Sequence, residues 1–318
     1  MIDNIISFKF ITAEGKSLEL SSSSTGEEKA LFYALCGGGI GLGVVTAITL
    51  KAFPISALKM DDDKIWTRSL IFPPPAIAFA AETFLKLQPP LPSMNTVLAF
   101  MRAPPGTPAP GAPMIVLTAM SYGPSQEAEK AMSLLFEPGT TEKAIKATTA
   151  FTPLPLSTAA FEVINAHGDY KDGSSSFLKT LDADTITAAF RQWLDFTDKY
   201  ADAKRTLLVI AGFNIQKLAE YGETPEGQAK FCQIRDRSFF ASTWGWCTSP
   251  ESATAMWSFQ REFGKLCREH DSAVPRTFAN NITPDTKVEE LHSDDKIAEL
   301  KRVKQLWDGK GLFWNLYG

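Results

Sequence analysis

The chain has 318 residues, 44% of them hydrophobic, and its 32 Lys and Arg against 36 Asp and Glu leave a formal net charge of -4. That length and apolar content can bury a core in one large or two smaller domains, and the absence of a dense Lys/Arg block argues against a nucleic-acid partner. Apolar stretches such as residues 73–81 are too short to span a bilayer. Met1 is followed by Ile2-Asp3-Asn4 rather than by a basic and then apolar leader, so the expectation is a cytoplasmic protein with no membrane partner.

Residues 5–12 are apolar and β-branched, Ala13-Glu14-Gly15-Lys16 supplies turn chemistry, and residues 17–20 return, which predicts a hairpin. Thr25 with Glu28 three residues on has capping-box spacing, and Ala30, Leu31, Ala34 and Leu35 give the helix that follows an apolar face. Gly37-Gly38-Gly39 stops it, and Val44 to Leu50 then reads as a strand ended by Phe53-Pro54. The order helix, glycines, strand is the reverse of a dinucleotide-binding turn, in which a helix N-terminus must face the pyrophosphate. A Rossmann reading is rejected on that ground.

Further on, strands are expected at 64–72, 96–102, 114–121, 207–213 and 238–248, and helices at 75–87, 126–135, 182–200, 253–269 and 296–305. Strands interleaved with long helices over short connections suggest an α+β fold in which helices cover one face of a largely antiparallel sheet. Cys36, Cys232, Cys247 and Cys267 form no CxxC and the three histidines are scattered, so no metal site is expected and the thiols read as core.

Several stretches resemble, in order, the berberine-bridge-enzyme-like, vanillyl-alcohol-oxidase-type family of FAD-linked oxidoreductases. Asp3 to Lys16 is similar to the strand pair that closes the flavin half of those enzymes. The run Leu31-Phe32-Tyr33-Ala34-Leu35-Cys36-Gly37-Gly38-Gly39, with Gly41-Leu42-Gly43-Val44-Val45-Thr46, resembles their helix, glycine turn and strand. Arg235-Asp236-Arg237 with Trp244 is similar to a strand of their substrate domain. Phe278-Ala279-Asn280 stands where they carry a Tyr-x-Asn-Tyr-like segment, and residues 301–313 are similar to their closing motif of a lysine-rich helix, Asp-Pro and Leu-Phe. The resemblance implies a truncated FAD-binding (PCMH-type) subdomain, residues 1–56, a substrate domain, 57–274, and a C-terminal segment, 275–318, that returns to the first. It also implies that the N-terminal half, with the pyrophosphate loop and the residues bonded to the flavin, lies outside this chain. No residue here is therefore assigned to a cofactor, and FAD is left open.

Substrate-facing candidates follow from position. Trp244 and Trp246 alternate on a predicted strand and would share a face that could line an apolar pocket. Arg235 and Arg237 would share a face if extended, and could hold a carboxylate or carbonyl oxygen. His167, Asp169 and Tyr170 sit in an expected loop, 165–176, where a general acid could stand, and Asn280 and Asn281 are hydrogen-bonding candidates. Core indoles, a solvated strand edge and ordinary turns are the structural alternatives. The leading expectation is a tailoring enzyme of secondary metabolism that acts on a hydrophobic small molecule as a flavin-independent isomerase or cyclase. The alternatives are an FAD-linked oxidase and a non-catalytic binding protein, and the oligomeric state stays open.

Overall fold

The computed structural model describes residues 2–159, 162 and 165–316, and it is a mixed α+β structure of two sheets. Its contacts divide the chain into two compact units, 1–53 with 216–236 and 284–318, and 54–215 with 237–283. Residues 216–236, placed by the sequence reading inside the second region, thus pack with the first.

The first unit holds a three-stranded antiparallel sheet, β1 (Ile5–Ile11), β2 (Ser17–Ser21) and β3 (Val44–Leu50), in the order β2-β1-β3. Two helices pack with it, α1 (Gly26–Leu35) and α9 (Asp294–Trp307). Phe8 and Phe10 of β1, Leu20 of β2, Leu31 and Phe32 of α1 and Leu300 and Val303 of α9 bury one common core. The expected hairpin and helix are present, although the Thr25 side chain makes no capping hydrogen bond and only occupies the N-cap. Two short helices that the sequence reading missed, α6 (Gln216–Gly222) and α7 (Pro225–Ala229), belong here too.

One ammonium ties the ends of this unit together. Lys304 Nζ donates to the carbonyl oxygens of Gly41 (2.7 Å), Phe313 (3.0 Å) and Trp314 (3.4 Å) and to the Asp308 carboxylate at 2.5 Å. Asp308 also accepts the amide N–H groups of Leu312 and Phe313, at 2.7 and 2.9 Å. Burial raises the Asp308 pKa, but the Lys304 ammonium and these two amides outweigh it and hold the carboxyl below the usual carboxylate range.

The second unit is built on a seven-stranded antiparallel sheet in the order β7-β4-β6-β5-β9-β10-β8. Its strands are β4 (Lys64–Phe72), β5 (Met94–Arg102), β6 (Pro113–Ser121), β7 (Lys146–Pro153), β8 (Tyr170–Leu178), β9 (Leu207–Phe213) and β10 (Phe239–Cys247). Along β5 the burial alternates without exception, with Met94, Thr96, Leu98, Phe100 and Arg102 buried and the residues between them half-buried. The buried face packs under α2 (Ile77–Lys86), α5 (Ala183–Lys199) and α8 (Pro250–Glu269), where Phe84, Phe190, Trp193 and Phe263 share a core with Leu98, Leu117 and Ile210. Among the described residues the opposite face carries no helical layer within this unit. Helices α3 (Ser125–Ala131) and α4 (Pro138–Thr141) are short and lie between β6 and β7 in the chain.

The second unit corrects the sequence reading in two places. Residues 165–176, expected as a loop, contain most of β8, because Gly173 and three consecutive serines have low intrinsic strand preference and are held extended by pairing with β10. The edge strand β7 was not foreseen either, because its threonines and alanines carry no apolar period and Phe151 is its only large apolar residue. Among the described residues no helix is long and apolar enough to cross a membrane. Cys36, Cys247 and Cys267 are buried free thiols and Cys232 is half-buried; burial pushes Cys36 and Cys267 up to about 12, so neither is a ready thiolate.

Two predictions follow from the Lys304 clasp. Gly41 and Gly15 both have left-handed backbones, φ 77° and 79°, but a Cβ at Gly41 would collide with the Trp314 carbonyl oxygen whereas one at Gly15 meets nothing. Gly15→Ala should therefore cost only about 1 kcal/mol of conformational strain, and Gly41→Ala at least ~2–3 kcal/mol, read as a larger fall in melting temperature. Because the Asp308 pKa is depressed in the folded state, its stabilisation is present above about pH 4 and is lost as pH falls through the native pKa. The melting temperature of the parent should thus fall more steeply below pH 4 than that of Asp308→Asn.

Candidate functional site

Antiparallel register decides which side chains share the open face of the large sheet. Pairing sets Phe240 opposite Phe177, Ser242 opposite Ser175, Trp244 opposite Gly173 and Trp246 opposite Lys171. Since Phe239, Ala241 and Cys247 enter the core beneath the helices, their neighbours Phe240, Ser242, Trp244 and Trp246 lie on the other face. Val209 and Ala211 of β9 and Val97 and Ala99 of β5 continue that face across the sheet.

A strap crosses it. Arg276 bridges to Phe177, with the Phe177 amide donating to the Arg276 carbonyl at 2.8 Å. The Thr277 hydroxyl donates to the Ser175 carbonyl at 2.7 Å, and the Phe278 amide donates to the Ser175 hydroxyl at 3.2 Å. The strap thereby lowers the Phe278 ring onto the cross-strand pair Phe177 and Phe240, whose centroids are 4.9 Å apart, and meets both edge-on at 6.1 and 6.2 Å. Such contacts add about 0.5–1.5 kcal/mol each beyond area burial. Asn281, in the 3-10 turn Ala279–Asn281, places its amide nitrogen 2.7 Å from where a Cβ on Gly173 would stand. A side chain at 173 would displace it. The half-buried indole of Trp244 is the cross-strand neighbour of that glycine.

The two tryptophans share a face but not a role. Trp246 is buried, its indole N–H donates to Asp169 at 2.8 Å, and Lys171 and Arg205 stand over its ring at 4.3 and 4.7 Å. It is a closed structural unit. Asp169, at φ 60°, is held by that bond with Arg205 4.0 Å away, His167 is exposed, and Tyr170 lies by register on the helix side of the sheet. The three residues expected as an acid group are therefore not gathered on the open face. An open cavity of about 470 Å³ beside Asp169 is lined by Asp202, Lys204 and Arg205, and Asp202 is already occupied with Ser252, Thr248 and Ser249 at the start of α8.

Arg235 and Arg237 do not share a strand face, because Arg235 sits in a turn and the two belong to different units. The Arg235 guanidinium is bidentate to Asp3 at 2.7 and 2.9 Å, while Arg237 is buried and donates to the Val274 carbonyl at 2.8 Å, anchoring the start of the strap. Asn280 is exposed and Asn281 half-buried. Of the sequence candidates, Trp244 and Asn281 both lie beside Gly173 on the open face, the first by strand register and the second by the approach of its amide. Phe177, Phe240 and Phe278 were missed; Phe177 follows three consecutive serines and has no alternating pattern around it that could have marked it.

Flavin phosphates would need backbone left open beside a glycine turn. Here the Phe231 carbonyl fills the space beside Gly37, the Trp314 carbonyl that beside Gly41, and the Phe10 ring that beside Gly43. The glycine turn is packed against the chain itself and does not fit a pyrophosphate. Among the described residues no cluster of His, Cys, Asp and Glu could hold a metal ion.

No family model matches the chain. In sequence it is similar to the FAD-linked oxidoreductase OXR1 of Pyricularia oryzae, 23% identical over 322 residues, and to the FAD-linked oxidoreductase hasG of Aspergillus fumigatus, 22% identical over 320. Both matches take in 98% of this chain, which spans only 60% and 65% of the length of those relatives. In fold it is similar to berberine-bridge-enzyme-like protein 1 of Physcomitrella patens, with a TM-score of 0.74 at 13% identity over 100% of this chain and 65% of that one. It is also similar to GilR, an oxidoreductase of gilvocarcin biosynthesis solved with pregilvocarcin, with a TM-score of 0.72 at 14% identity over 99% of this chain and 70% of that one.

The two tryptophans give a testable contrast. Trp246→Phe deprives Asp169 of its indole donor and should cost about 1–2 kcal/mol of stability in thermal melts while leaving ligand binding intact. Trp244→Ala should do the reverse in a ligand titration.

Proposed function

We propose that this chain, which has the berberine-bridge-enzyme-like, PCMH-type fold and is related in sequence to fungal FAD-linked oxidoreductases, is the substrate-binding part of an oxidoreductase of secondary metabolism that acts on a hydrophobic, ring-bearing metabolite. The observation that carries the reading is the open sheet face, where Phe177, Phe240 and Phe278 pack together and Trp244 and the Asn281 amide both lie beside Gly173. A rigid aromatic floor gives a ring-bearing ligand dispersion contact without loss of side-chain freedom, and one amide on the strap can fix its orientation through a hydroxyl or carbonyl. Positioning of this kind lowers the barrier of whatever reaction follows.

The isomerase or cyclase expectation draws no support from these relatives, and a non-redox enzyme would need a proton donor on that face. His167, Asp169 and Tyr170 are not assembled there. The assignment to an oxidoreductase comes from kinship, and since the glycine turn does not fit the flavin phosphates, no redox step is assigned to residues of this chain.

Tryptophan fluorescence on titration with polycyclic aromatic metabolites, beside a neutral disaccharide as control, tests the binding reading. Binding of the polycyclic compounds, weakened about tenfold by Trp244→Ala and unaffected by Trp246→Phe, is expected, tenfold being roughly 1.4 kcal/mol. Preference for the disaccharide, or indifference to Trp244→Ala, would overturn it. The redox assignment is tested separately: conversion of a bound metabolite with neither oxygen uptake nor flavin absorbance would return the protein to the isomerase class.

A further inference from the structure

We infer that the metabolite held on the open face is an elongated aromatic alcohol. Its ring rests against the Phe177, Phe240 and Phe278 cluster, and an apolar span carries a hydroxyl to a second, polar subsite built by Asn95, Ser69 and Thr118. This substrate class deepens the binding reading of the aromatic face and rests on it, and it is independent of the redox assignment.

A trough joins the two subsites, and strand register defines it. Two rows of small side chains cross the sheet side by side, Thr118, Val97 and Ala211 in one and Val116, Ala99 and Val209 in the other. All six lie on the open face, because Leu98, Leu117 and Ile210 between them enter the core beneath the helices. Larger residues border the rows, with Met120 and Phe213 on either side of Asn95 along one margin and the pair Met101 and Met114 along the other. A flat molecule can therefore lie across the strands between these margins. The first row runs on into Phe240 and Phe177 at one end and into Ser69 at the other, so its chemistry passes from aromatic through aliphatic to hydroxyl. Three strand spacings of about 4.8 Å separate β6 from β10 and set the two ends roughly 14 Å apart.

The polar end is chemically incomplete. Asn95 Oδ1 is shut off from water and accepts no hydrogen bond from any described residue. The Ser69 and Thr118 hydroxyls lie 3.0 Å apart and share one hydrogen bond, in which either can be the donor. That bond uses one of their two hydroxyl protons, and the other has no protein acceptor among the described residues. A buried polar atom without a partner destabilises a fold, so an acceptor kept in this state points to a group that arrives with the ligand. An alcohol meets both needs at once: it donates to Asn95 Oδ1 and accepts from the Ser69 and Thr118 pair. Thr118 is the diagonal cross-strand neighbour of Asn95, roughly 7–8 Å away between Cα atoms, a span that one hydroxyl bridges. An ether, a ketone or a carboxylate has no proton to give Asn95.

Three probes titrated into the 318-residue chain test the inference: pyrene, pyrenehexanol and the methyl ether of pyrenehexanol. The alcohol should bind about tenfold more tightly than the ether or pyrene. Asn95→Leu, which keeps the side-chain volume, should abolish that advantage and leave affinity for the ether unchanged. It should also leave the melting temperature of the free protein unchanged or raise it, because a lone buried acceptor is removed. Ser69→Ala combined with Thr118→Val should abolish the advantage too, whereas Trp244→Ala should weaken all three probes alike. Equal binding of alcohol and ether by the parent, or an advantage that survives Asn95→Leu, would overturn the inference and leave the aromatic-face reading standing. A fall in melting temperature in Asn95→Leu would also overturn it, by making the amide a structural member of the fold. Failure of all three probes to bind would remove the aromatic-face reading and this inference with it.

Discussion

The candidate site depends on the two-sidedness of an antiparallel sheet. Alternation along β5 and β10 sends one set of side chains beneath α2, α5 and α8 and leaves the other set on a face with no helix of its own unit among the described residues. Everything proposed about ligand binding inherits that division. A shift of one residue in the β8 and β10 register would bury Trp244 and turn Thr243 outward. Helix α8 helps to prevent such a slip, because a Cβ at 245 would have to push the Met256 side chain aside, and the Gln260 amide donates to the Asp172 carbonyl at 3.2 Å.

The strap gives the flat face its relief. Residues 274–281 have little regular structure, yet each step is held: Arg237 takes the Val274 carbonyl, Phe177 pairs with Arg276, and Thr277 and Phe278 bond to Ser175. The small residues of β8 are what permit this. Serine at 175 offers both a hydroxyl and an accessible carbonyl, and glycine at 173 leaves room for the Asn281 amide. Residues that weaken β8 as an isolated strand are thus the ones that admit a second layer over it.

In the first unit a single buried ammonium performs a comparable task. Lys304 gathers the glycine turn and the C-terminal carbonyls around one charge, and Asp308 neutralises it while capping the following turn. The glycines at 37, 41 and 43 are explained by protein atoms that fill the space a Cβ would take. That changes the meaning of the motif: it marks the scaffold and carries no evidence of a bound phosphate. The same unit leaves all seven residues of β3 exposed beside that compact core.

Composition and periodicity by themselves determined the α+β class, most of the strongly patterned elements, Cys36, Cys247 and Cys267 as core thiols, and the glycine turn as something other than a dinucleotide loop. These are legible because apolar period and turn chemistry act over short stretches of chain. Only the tertiary structure could decide that Arg235 answers Asp3, 232 residues away, that Arg237 answers a carbonyl, and that Asp169 is spent on Trp246. The alternation of Trp244 and Trp246 gave their common face correctly, but the closed setting of Trp246 is made by cations and a carboxylate brought in from 171, 205 and 169. Strand β8, read as a loop, became a strand because pairing energy from β10 exceeds the weak local preference of its glycine and serines. A side chain's partner across the fold leaves no trace in the local pattern, and this is why the scaffold could be read from the sequence while the membership of the site could not.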